Sequence, residues 1–195
     1  MKITVPDSLA DITVKQYKEL AEIKHDQDSN EWIIEAVCVL CQIEKKIVEK
    51  LTINELAQIA EIIKKLNDED HNNQSLKQKI EYKGKRYGFH PNLSKLTVGE
   101  FADLESYCAD GFFTNINQIL GILYRPIARE GGDFYTIEEY TGDHFPNHWD
   151  ELKMDVVLGA VNFFLSIGVS LTNGLANYLA EQEKQTLSRR SGGGT

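Results

Sequence analysis

The chain has 195 residues, 42% of them hydrophobic and 26% charged, which suits one domain around a single core. Its formal net charge is -9, and its basic residues form nothing larger than doublets such as Lys45-Lys46, Lys64-Lys65 and Arg189-Arg190. Affinity for nucleic acid needs clustered positive charge to release counterions, so direct sequence-specific binding of nucleic acid is not expected.

Met1 to Asp7 lacks the apolar run of a signal peptide. Lys2 to Val5 is short enough to add a strand to a hairpin further along. A helix start then occurs three times, as Ile12-Thr13-Val14-Lys15-Gln16-Tyr17, Leu51-Thr52-Ile53-Asn54-Glu55-Leu56 and Leu96-Thr97-Val98-Gly99-Glu100-Phe101. In each, the Thr side chain can accept from the N–H three residues on, while the Gln or Glu there reaches back to the Thr backbone. This is a capping box, with apolar residues placed to staple it on either side. Apolar residues follow at helical steps: Tyr17, Leu20 and Ile23; Leu56, Ile59 and Ile63; Phe101, Leu104 and Tyr107. The three starts could mark an ancient duplication, but convergence on a good cap is the better reading, and their unequal spacing argues against a solenoid repeat.

Glu31 to Val48 reads as a helix, and Asn67 to Gln74 as a polar loop. Ile80 to Phe89 alternates about Lys83-Gly84 and predicts a small β-hairpin. Ile116 to Tyr124 is predicted as a buried helix ended by Pro126, and Asp133 to Tyr140 as a short extended piece. A loop from Thr141 to Trp149 precedes the last and longest helix, about Leu152 to Thr186. That helix is too polar to span a membrane, with Asp155, Asn162 and Ser166 in its most apolar stretch. Gly159, Gly168 and Gly174 weaken it unless a neighbouring helix packs closely there. The expected fold is therefore mainly α: a helical bundle around a long C-terminal helix, with a small β-hairpin insertion at about 80–89. Residues 1–187 form one domain in this reading. Residues 188–195, with Arg189, Arg190 and a Gly-rich end, form a flexible tail that only a neighbour would order.

Sites of chemistry are weakly signalled. Cys38-Val39-Leu40-Cys41 has redox and zinc spacing, but it lies in an apolar helical run without a second pair, so core cysteines are the better reading. The three cysteines, an odd number, also argue against a disulfide framework. Asp143-His144 and His148-Asp150 could supply metal ligands, yet Pro146 interrupts the helix that would align the two histidines. A loop that contacts a partner fits better. Glu138-Glu139 reads as a solvated turn, because adjacent residues point apart and no oriented nucleophile accompanies them. No phosphate loop, nucleophile elbow or dinucleotide fingerprint is present. Arg125, fixed by Pro126, is positioned to latch onto Asp103 or Glu105, or to meet a partner.

The motif order Ile12 to Tyr17, Tyr82 to Gly88, Leu96 to Glu105, Ile122-Leu123-Tyr124-Arg125-Pro126-Ile127, Tyr135 to Tyr140 and Ala160 to Leu171 covers most of the chain from residue 12 to residue 180. It resembles an uncharacterised structural and assembly protein family of tailed bacteriophages of Bacteroidota, the crAss-like phages and their relatives. The resemblance implies a non-enzymatic virion protein: an adaptor or connector, a capsid accessory or a cargo protein. Its partners would be portal, ring, capsid or tail components. It would reside in the virion, and in the bacterial host cytoplasm during assembly, and would oligomerise only on a template. A tail-assembly chaperone absent from the mature particle is the alternative within the same family, and a metal enzyme using His144 and His148 is the alternative outside it. No cofactor is implied and no catalytic residue is carried over. Candidate contact residues are Lys83, Lys85 and Arg86 at the hairpin tip, Arg125, His144, His148 and Trp149 in and near the late loop, and Arg189 and Arg190 in the tail.

Overall fold

The computed structural model of the protein describes residues 3–27, 29–68, 74–132, 134–142 and 148–166. Three threonines set where three of its helices begin. Thr13 caps α1 (Val14–Ala21): its hydroxyl accepts from Gln16 N at 3.2 Å, and Gln16 Oε1 accepts from Thr13 N at 2.9 Å. Thr52 does the same for α4 (Ile53–Asp68), where Glu55 accepts from Thr52 N at 2.8 Å. Thr97 opens α5 (Val98–Ala109), where Glu100 accepts from Thr97 N at 2.6 Å. The flanking staples differ. Ile12 is buried and Tyr17, Leu51 and Leu56 pack against the core, whereas Phe101 beside Leu96 is 54% exposed.

The single helix expected over Glu31 to Val48 is two. α2 (Asn30–Cys41) begins at Ser29, whose hydroxyl accepts from Trp32 N at 3.1 Å. It ends at Gln42, where the backbone turns left-handed at φ 53°, and α3 (Lys45–Val48) follows. α6 (Ile116–Leu123) is nearly all buried. Residues 154–166 form the described part of the last helix, α7; the remainder of that expected helix and the 188–195 tail, with Arg189 and Arg190, lie outside the described residues.

The expected helical bundle with a small hairpin is not the architecture. The protein is mixed α/β, with a four-stranded antiparallel sheet in the order β1-β2-β3-β4. β1 (Lys79–Tyr82) and β2 (Lys85–Phe89) are the predicted hairpin. Lys83 and Gly84 both take positive φ, 48° and 72°, as its tight two-residue turn requires. α5 and α6 then intervene before β3 (Tyr124–Gly131) pairs with β2, and β4 (Phe134–Ile137) closes the sheet. Residues 3–5 carry no strand.

Pro126, expected to end a helix, lies instead in an inner strand, where its missing N–H should break the ladder. The pairing explains the tolerance. β3 pairs with β2 only from Tyr124 to Pro126, and with β4 from Ile127 onward, with a register shift between Ile127 and Arg129. Pro126 therefore sits where the strand changes partner, and its carbonyl still accepts from Glu138 N at 2.9 Å.

The core gathers Val14, Val37, Leu104, Ile119, Leu120, Ile122, Leu123, Tyr124, Met154 and Val157, so all layers of the described chain share it. The two ends of the described chain meet beside it. Val14 N donates to Leu152 O and Met154 N to Ile12 O, each at 2.9 Å. Gly159 was expected to admit a neighbouring helix. It admits the extended segment before β1, since a Cβ there would collide with the Ser75 carbonyl. Gly168 and Gly174 lie outside the described residues.

The caps give a direct check. Thr52→Ala and Thr97→Ala are each expected to lower stability by about 1 kcal/mol. Urea midpoints within error of the unaltered protein would contradict the capping account.

Candidate functional site

The hairpin places Tyr82 and Tyr87 over the chain that leads into α7. Tyr82 stacks on Trp149 with ring centroids 5.1 Å apart, and Tyr87 meets the same indole edge-on at 4.9 Å. Trp149 is 2% exposed, so the indole is an anchor rather than a surface group. Its backbone N–H donates to Asn117 Oδ1 at 2.7 Å, and Asn117 Nδ2 donates to Asp150 Oδ1 at 3.0 Å. Lys18 of α1 stands 3.6 Å from the same carboxylate oxygen. Asn117, one of two amides in the mostly apolar α6, thus ties helix, loop and N-terminal segment together.

Around this anchor lies a cavity of about 450 Å³, lined by Lys85, Tyr87, Tyr124, Arg125, Tyr140 and His148 among others. His148 fastens one side. Its carbonyl accepts from Tyr82 Oη at 2.7 Å and from Lys83 Nζ at 3.3 Å, and its Nε2 lies 3.1 Å from Tyr87 Oη. Burial, and secondarily Lys83 and Lys85, hold the His148 imidazole below its ordinary range. Burial pushes the Tyr87 phenol up. Tyr124 spends its hydroxyl proton on Lys77 O at 2.6 Å. The hydroxyls of the wall are thus engaged in holding the wall together. Glu138 and Glu139, read from the sequence as a solvated turn, line the same cavity. The arrangement can enclose a small ligand or a partner's side chain.

At the far side Arg125 pairs with Glu100 at 2.7 Å, with side chains 10% and 3% exposed. The sequence pointed to Asp103 or Glu105 as its counter-ion. The structure gives the capping residue of the same helix instead, and Asp103 accepts from Tyr140 Oη at 2.6 Å. Burial alone would raise the Glu100 carboxyl. The Thr97 hydrogen bonds, Arg125 and His90 outweigh it and hold the carboxyl low. Burial and the neighbouring Arg125 depress His90, against the pull of Glu100.

Of the residues singled out from sequence, Lys85, Arg125, His148 and Trp149 line one cavity, and Lys83 reaches His148. Arg86 stands apart: with Lys79 it grips Glu130 across the sheet, through bonds of 2.9 Å from each. His144 lies outside the described residues, as do Arg189 and Arg190. Tyr82, Tyr87, Asn117 and Tyr124 were missed. Asn117 had a usable signal, a short amide within a helix that is otherwise nearly all apolar and buried. Among the described residues no three metal-ligating side chains meet. Cys38 and Cys41 are half-buried free thiols whose ionisation burial disfavours, contrary to what a redox nucleophile needs.

His90 and His148 predict a pH response. Both are depressed from 6.5, so below that pH the unfolded chain binds protons before the folded one does. Their contribution to stability is complete above 6.5 and is lost as the pH falls through the lowered folded values. Glu100 and Glu130 act in a separate window, below their ordinary 4.5. His148→Gln should therefore flatten the fall in stability between about pH 7 and about pH 5; an unchanged slope would contradict the assignment. Comparison of the chain with protein-family models, curated proteins and solved structures gives no match.

Proposed function

We propose that the protein is a non-enzymatic structural or assembly protein of a tailed bacteriophage, acting through protein–protein contacts. The phage assignment rests on the sequence resemblance of residues 12 to 180. The contact role is supported by one observation: large apolar side chains stand out in solvent, with Val98 88%, Ile53 86%, Phe134 86% and Phe101 54% exposed. Burying such groups is the main favourable term in protein association. Phage assembly joins components of this kind, and a virion adaptor, connector, capsid accessory or cargo protein would meet portal, ring, capsid or tail neighbours.

Quantitative mass spectrometry of purified particles and of infected cells tests the proposal. A fixed copy number per particle is the expected result. Abundance in infected cells with absence from particles would move the protein to the tail-assembly chaperone role. Absence from both would overturn the phage reading.

A further inference from the structure

α5 turns one of its acids into the core and leaves large apolar groups in solvent. Glu100 and Leu104 face inward and are almost fully buried. The opposite face presents Val98, Phe101, Ala102, Glu105, Ser106 and Ala109, all exposed and recurring at three- and four-residue steps. A solvated helix face is ordinarily polar and charged. Here only Glu105 is charged among the six. Val98 is 88% exposed and Phe101 54%, so large apolar groups stand at the N-terminal half, with small residues beside them and beyond. Large beside small gives a ridge and a shallow groove, the relief that another helix packs into.

We propose that this face docks an amphipathic helix of a partner protein whose apolar stripe is flanked by Lys or Arg. The charge pattern selects that occupant. α5 contains no Lys or Arg, and its acids Glu100, Asp103 and Glu105 are followed by Asp110 at its C-terminal cap. Glu100 is spent on Arg125 and Asp103 on Tyr140. Glu105 stands within the apolar strip, where a partner cation would be drawn as the face desolvates. A second copy of this chain fits poorly. A two-fold contact through the face would bring Glu105 toward its own symmetry mate, and each copy carries a net charge of -9. The inference deepens the contact role proposed above and does not depend on a position in a particle.

The test uses the full chain and three labelled synthetic helices of about 18 residues, long enough for five turns. One has a Leu stripe flanked by Lys, one the same stripe flanked by Glu, and one a scrambled Lys-containing sequence. The unaltered protein should bind the Lys-flanked helix at least tenfold more tightly than the other two. The double variant Val98→Asp/Phe101→Asp should lose at least tenfold, although it adds negative charge that would strengthen unspecific attraction. Glu105→Lys should reverse the preference between Lys and Glu flanks. Circular dichroism of each variant controls for folding, and Val98→Ser/Phe101→Ser replaces the Asp pair if that pair unfolds. Equal binding by both serine- or aspartate-bearing variants and the unaltered protein would overturn the proposal. So would a dimer, seen by sedimentation, that Phe101→Asp dissociates. Docking of the Lys-flanked helix by a protein found in neither particles nor infected cells would leave this inference standing and remove the phage reading.

Discussion

The ion pair between Glu100 and Arg125 joins α5 to β3. Glu100 closes the capping box of α5, and the same carboxylate receives the guanidinium of a residue in β3. Local helix initiation and sheet position are therefore set by one side chain. Removing two charges from water is costly, and only good geometry with further hydrogen bonds offsets it. Glu100 has those bonds from Thr97, whereas Arg125 Nε is buried without a partner. The pair therefore fixes an arrangement more than it adds net stability, and loss of either member alone would strand a charge in the core.

From that pair the functional surfaces follow. With α5 clamped through its inner face, its outer face has no choice but to meet solvent or a partner, and Val98 and Phe101 are held out with it. Tyr140, bonded to Asp103, extends the same clamp to the chain after β4. On the other side of Arg125 the cavity is walled by aromatic rings whose hydroxyls bond to backbone carbonyls and to His148.

What the sequence revealed was what depends on neighbours in the chain. The three threonine caps follow from residues three apart, and the Lys83-Gly84 turn from two adjacent ones; all are present in the structure. What it concealed depends on distant partners. Leu123-Tyr124-Arg125-Pro126 looks like the end of a helix, because proline usually forbids an inner strand. Only the change of pairing from β2 to β4 makes room for it. The counter-ion of Arg125 was sought on Asp103 or Glu105, whereas the capping acid itself had turned inward. Trp149, read as a loop contact, is the buried anchor of the cavity, and nothing local in its loop signals that Tyr82 and Tyr87 will cover it.

A double-mutant cycle on Glu100→Gln and Arg125→Leu tests the clamp most directly. Gln keeps the capping box, as Gln16 does in α1, and removes only the charge. Each single change should cost about 3 kcal/mol or more, and the two together scarcely more than either one, because the second removes the charge that the first left unpaired. Costs that add to within about 0.5 kcal/mol would show the two residues to be independent, and would contradict the account.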